Sequence, residues 1–299
     1  MNILNKLIEN PILTSAFRGK GLNWRMLSAI GLAILAYCPA ITTTMPYILI
    51  TIFTNPNDMF RGLDEIGATT FYVTVALLLI VVTLFAPTMA ASAIAGERQR
   101  QTFDLLMITL LPTRSIVIGK FISSVIYTLL LINAVWPVIL FSVITGGISF
   151  VELAGAFTIL VITAIAFTMI GLFVSSIGKT TTNATMLIYG VALPSLFIAP
   201  PLLMLAVTIV LNLSVGSFSD LSETINFYGW MLVASLNPLV AAIASAIIYV
   251  DNDGILLTST GGSDPLYTLS PGFVYVAFYA FLTWFLAKRI IVRLERMSQ

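Results

Sequence analysis

Between Arg25 and Asp58, between Glu65 and Glu97, and between Lys120 and Glu152 the chain carries no Asp, Glu, Lys or Arg at all. Uncharged runs of that length dictate what such a polypeptide can become. About 20 mostly apolar residues in a helix cross the ~30 Å hydrocarbon core of a bilayer. One charge at the centre of such a helix costs roughly 2.5–3.5 kcal/mol on insertion scales. The runs therefore read as membrane spans, expected at about 26–53, 68–94 and 121–145. Further uncharged runs, between Glu152 and Lys179, within 180–219 and from Pro271 to Ala287, place others at about 152–176, 184–212 and 271–292. Pro87 is expected to kink the second span, and Pro194, Pro200 and Pro201 to interrupt the fifth. Only 9% of the 299 residues are charged, against roughly 25% in a soluble domain.

Ile225–Val250 is also uncharged, but charge placement argues against a seventh span. With six spans and a cytoplasmic amino terminus, the inner segments hold Lys6, Arg18, Lys20, Arg25, Arg98, Arg100, Arg114, Lys120, Lys179, Lys288, Arg289, Arg293 and Arg296. Of the 14 basic residues, that leaves only Arg61 outside, as the positive-inside rule requires. A seventh span would send the basic tail outward. Residues 213–270 are accordingly an outer region, and 225–250 a set of outer-face or re-entrant helices buried against protein. Both termini are expected in the cytoplasm, in an all-α polytopic protein of a cytoplasmic (inner) membrane. Residues 26–294 form its six-span domain. Residues 1–25 read as an interfacial amphipathic segment, with Ile3, Leu4, Leu7 and Ile8 on one helical face.

Several chemistries are disfavoured at once. Histidine is absent and Cys38 stands alone, which removes histidine acid/base catalysis, disulfides and cysteine/histidine zinc sites. No span carries an ionisable group at depth, against a proton- or ion-coupled carrier. "IGKT" at 177–180 ends like a phosphate loop, but Phe173 holds the place of its first glycine. "DNDG" at 251–254 lacks the carboxylates of a calcium loop, because Tyr249 and Asp264 are wrongly placed. Thr42–Thr44 and Thr180–Thr182 read as helix-pairing hydroxyls, and no substrate residue is named.

The stretch "AGERQRQTFDLLMITLLPTRSIVIGK", residues 95–120, is the polar exception. Phe103, Leu106, Met107 and Leu110 recur at helical spacing, so an amphipathic helix is expected over about 96–110. Glu97 is expected in its first turn, where the helix dipole favours an acid. Arg100, Gln101 and Asp104 line the polar side, and Pro112 and Arg114 mark re-entry into the membrane. The residues alone leave two readings, a helix resting at the headgroups or a docking helix for a cytoplasmic protein.

The same stretch resembles the signature of ABC-2 type transporter permeases, at Gly96, Glu97, Arg98, Arg100, Thr102, Asp104, Leu105, Leu106, Thr109, Arg114, Gly119 and Lys120. Gln101 departs from it where a glycine is common, and proline appears at Pro112 rather than after Thr109. "GLFVSSIGKTTTNATM" (171–186) and "LNPL" (236–239) are similar to other parts of the family pattern. The resemblance implies a six-helix half-transporter of the type V exporter kind. It would pair with a second copy or a related permease, and be driven by a separate cytoplasmic ABC ATPase. It implies a coupling helix whose grip residues are Glu97, Arg98, Arg100, Phe103, Asp104 and Arg114. ATP and magnesium would sit on the ATPase, with no cofactor in this chain and no nucleic-acid partner. The path would run between the permeases, flanked by spans two and five, and export an amphipathic or apolar cargo. The alternative is a non-transporting membrane subunit that transmits ATPase motion to an extracytoplasmic partner.

Overall fold

The computed structural model describes residues 46, 50, 59–102, 112–178, 180–214, 228–229, 231–233, 235–252, 257–259 and 267–297. Apart from one short strand pair, these residues are helical. In chain order they form α1 (Met59–Gln99), α2 (Thr113–Asn133), α3 (Trp136–Thr145), α4 (Phe150–Ile177), α5 (Thr181–Leu193), α6 (Ala199–Ser214), α7 (Pro238–Asn252) and α8 (Pro271–Met297). Five stretches are long and apolar enough to cross a membrane: Gly67–Gln99, Thr113–Ile144, Phe150–Ile177, Thr181–Leu203 and Pro271–Arg296. The span expected at 26–53 and the interfacial segment 1–25 lie outside the described residues, save Pro46 and Ile50.

The core is a long crossing of α1 against α4, with α8 closing on α4 from another side. Small side chains make the approach close: Ala86, Ala90, Ala91 and Ala95 of α1 are almost completely buried. Gly171 of α4 faces Pro87 of α1, and a Cβ there would overlap the Pro87 carbonyl. Such close backbone contact is how helices associate where lipid offers no hydrophobic drive. Pro87 does not end α1, which continues for 12 further residues to Gln99. Beyond Pro87, the Ser175 hydroxyl is inserted against the α1 backbone. It accepts from Ile94 N (3.0 Å) and Ala95 N (2.9 Å) and donates to Ala91 O (2.6 Å). Nearer the opposite end Tyr275 of α8 is fully buried, its hydroxyl 2.8 Å from Thr163 Oγ1. Phe281, Trp284, Met186 and Leu202 stay more than half exposed. These faces suit hydrocarbon rather than water.

Three local features stand out against expectation, two as departures and one as a refinement. The third span is two helices, broken at Ala134–Val135, because Pro137 in the first turn of α3 has no N–H to offer the preceding turn. The fifth is interrupted as expected, by a widened π turn over Pro194–Ile198 rather than a break. The outer region is not wholly helical: Leu257–Ser259 (β1) pairs antiparallel with Tyr267–Leu269 (β2), short segments whose Thr and Tyr favour strands.

Helix α7 begins inside the 225–250 segment argued above to be outer or re-entrant and ends two residues past it. Its 15 residues extend about 22 Å, short of a span. Asn237 begins it, accepting at Oδ1 from Leu239 N (2.9 Å) and Val240 N (3.2 Å). The Asn237 amide donates to Leu196 O, 3.1 Å away in the π turn. That carbonyl faces Pro200 and Pro201 at the two positions that would otherwise supply its N–H. Tyr279 OH donates to Leu236 O at 2.9 Å, eight residues into α8. The start of α7 is therefore deep in the bundle, while Ser245 packs beside Gly272 at the first turn of α8.

Candidate functional site

Basic side chains collect at one end of the bundle, at the close of α1 (Arg98, Arg100), the opening of α2 (Arg114, Lys120) and the close of α8 (Lys288, Arg289, Arg293, Arg296). At the opposite end Asp64 lies against the Gly146–Gly147 turn, whose φ values of +94° and +78° suit glycine. Glu152 completes a capping box with Ser149 there. Among the described residues no buried side chain is charged; the buried polar groups are those of Thr, Ser and Asn and the hydroxyls of Tyr275 and Tyr279.

The charged end is organised by Glu97. Its Oε1 accepts from Lys120 Nζ at 2.9 Å, and its Oε2 accepts from Thr102 Oγ1 at 2.5 Å. Glu97 therefore ties the end of α1 to α2, across a connection whose residues 103–111 lie outside the described set. At 41 residues α1 is about 60 Å long, twice the hydrocarbon thickness, which lets it carry Glu97 beyond the apolar layer.

Glu97 is not in the first turn of a separate helix, as the helix-dipole argument had it. It lies in the last turns of α1, where an acid meets the negative end of the dipole. That penalty is a few tenths of a kcal/mol to about 1 kcal/mol, and a charge-assisted pair with Lys120 plus the Thr102 hydroxyl outweighs it. The chain turns immediately after. Thr102 N donates to Glu97 O (3.0 Å) and Gln101 N to Arg98 O (3.0 Å), the two bonds of a Schellman cap. Gln101 holds the left-handed position with φ 57°. Glycine would take that conformation without the Cβ penalty of roughly 1 kcal/mol. Gln101→Gly is therefore expected to raise stability by about 1 kcal/mol, read as a higher midpoint in detergent thermal unfolding, with partner binding intact.

The other site residues inferred from sequence are distributed as follows. Arg98 is half-buried, its Nη1 3.5 Å from Gly178 O. Arg100 is exposed in the turn, and Arg114 is exposed in the first turn of α2. Phe103 and Asp104 lie outside the described residues. Sequence reasoning did not single out Gln99. Its Oε1 accepts from Thr181 N (3.3 Å) and Thr181 Oγ1 (2.8 Å), linking α1 to the start of α5. Thr180 caps that helix by accepting from Asn183 N. The signal was present as a run of threonines after Gly178, but only the fold shows what they meet.

Above this link a groove of about 500 Å³ lies between α1 and α5, with Thr88, Ser92, Thr181, Thr182 and Thr185 set among Phe85, Met89, Met186 and Tyr189. It is amphipathic and uncharged.

A protein-family model described as "ABC-2 family transporter protein" matches residues 23–250. No curated protein matches the chain.

Proposed function

Because the chain belongs to the ABC-2 transporter family, we propose that it is the permease subunit of an ATP-driven ABC exporter, driven by a separate ATPase bound at its charged end. The chain is a multi-pass membrane protein, and the family membership implies an ABC ATPase partner. In this reading the charged end faces the cytoplasm, as the positive-inside rule demands of a face carrying Arg98, Arg100, Arg114, Lys120, Arg289 and Arg293. The segment 26–53, which lies outside the described residues, is expected from its uncharged run to add a sixth span, and in this reading both termini then lie on that side of an inner membrane.

The observation that carries the proposal is the Glu97 clamp. A lever has to pass a push from a cytoplasmic machine into the membrane without yielding. The Glu97–Lys120 pair joins the two helices on either side of the 100–112 connection. Gln99 joins the same end to α5, and Ser175 grips α1 two turns deeper. Displacement of the connection by ATPase closure would reach α1, α2, α4 and α5 together. Arg98, Arg100, Phe103, Asp104 and Arg114 contact the ATPase in this reading.

The groove between α1 and α5 supports a path for an amphipathic cargo, with hydroxyls to replace water and aromatic and Met surface for an apolar portion. A second permease copy or paralogue would face it and complete the path. The absence of charged groups among the buried described residues fits transport powered from outside the membrane.

The test is affinity purification of the tagged chain in mild detergent. An ABC ATPase subunit is expected to co-purify, with ATP hydrolysis belonging to that subunit. A chain that co-purifies none, under conditions preserving complexes, overturns the proposal.

A further inference from the structure

At the charged end a cavity of about 450 Å³ lies beside α4 and α8, lined by Phe173, Arg289, Val292, Arg293 and Arg296. The three arginines stand at i, i+4 and i+7 on one face of α8. Ile290 and Leu294 occupy a different face and are buried in the core with Leu172. No carboxylate lines the cavity among the described residues. Holding like charges around one concavity costs energy that an anion between them would recover. Guanidinium forks match the oxygen geometry of phosphate.

The surroundings indicate where such an anion comes from. Arg289 follows Pro271 by about 27 Å of helix, close to the ~30 Å hydrocarbon thickness, so the cavity lies at headgroup level. Below it α8 exposes Phe281, Trp284 and Phe285. Lys288 Nζ is 3.8 Å from the Trp284 ring centroid, and the Arg289 guanidinium 5.1 Å from that of Phe285. Cations over exposed rings mark the boundary between chains and headgroups. Phe173 and Val292 give the cavity an apolar wall.

We propose that this cavity binds the phosphate headgroup of an anionic phospholipid from the leaflet at the charged end. The lipid's phosphate engages Arg289, Arg293 and Arg296, and its chains run along the exposed aromatic face of α8. The site goes beyond general anchoring of a basic tail, because it distinguishes arginines that line the cavity from Lys288, which does not. It rests on membrane insertion and not on ATPase docking.

The test is native mass spectrometry of the full chain, delipidated in mild detergent and titrated with phosphatidylglycerol or phosphatidylcholine. Wild type is expected to retain phosphatidylglycerol in preference to phosphatidylcholine. Arg293→Gln should weaken that binding about tenfold, and Lys288→Gln, with the same change in charge, should leave it nearly unchanged. Arg293→Lys keeps the charge but not the fork, and should fall between. Equal weakening by the Arg293 and Lys288 variants means diffuse surface attraction and overturns the site. Displacement of the lipid by millimolar inorganic phosphate assigns the cavity to the free anion instead. Should Arg293→Gln keep its lipid yet lose the co-purifying ATPase, the arginines belong to a protein interface and the proposal fails.

Discussion

Glu97→Arg is expected to reduce the ATPase co-purifying with the permease at least tenfold, while the permease itself still reaches the membrane. The carboxylate accepts from Lys120 and Thr102 at the point where α1 stops and the chain turns. A guanidinium there would face Lys120, with Arg98 and Arg100 as near neighbours in sequence, and no carboxylate would remain among those contacts to pair with the cations. The pair is only partly shielded, with side-chain exposures of 20% for Lys120 and 29% for Glu97, so losing it costs stability about 1 kcal/mol. The larger effect is geometric, because the 100–112 connection loses the tie near its base. Glu97 has two ways to matter, and a charge swap separates them. Glu97→Lys combined with Lys120→Glu restores the internal pair with its sense reversed. Rescue of ATPase binding by the swap would show that Glu97 acts by holding α1 to α2. Failure of the swap, with folding intact, would show that the carboxylate itself meets the ATPase. Retention of the ATPase by Glu97→Arg alone would sink both.

Asn237→Ala is expected to destabilise the protein by about 3 kcal/mol, the largest loss among single changes considered for the bundle. Two costs combine. The Oδ1 cap of α7 is lost, worth about 1 kcal/mol, and the Leu196 carbonyl is left without its donor in a buried setting, worth roughly 1–3 kcal/mol. Water cannot readily replace that donor, since Asn237 is 5% exposed and Pro200 and Pro201 leave the carbonyl no helical partner. Asn237→Ser should recover the cap but not the reach to Leu196, and so lose about half as much. Thermal unfolding in detergent reads both. Equal stability of wild type and Asn237→Ala would mean that the contact between α7 and the π turn contributes nothing.

Much of this protein is legible along the chain because the bilayer is a severe solvent. A charge at its centre is so costly that uncharged runs alone locate the four crossing helices that begin at Gly67, Phe150, Thr181 and Pro271, and most of the fifth, from Thr113. Backbone groups in hydrocarbon must pair internally, so those runs have to be helices. The same economy argues from sequence that 225–250 stays short of a span, and the residues of 95–120 carry the family resemblance. What the chain alone misplaced was local. The dipole argument put Glu97 at the start of a helix, because from sequence the preference of an acid for an N-terminus was the visible force. The partner that overrides it, Lys120, is 23 positions away and meets it only after α1 and α2 have turned back on each other. Ser175 on α1, Gln99 on α5 and Asn237 on Leu196 are likewise meetings of residues more than 40 positions apart. Each is a polar group whose value depends on which buried partner it finds, and only the tertiary structure decides that.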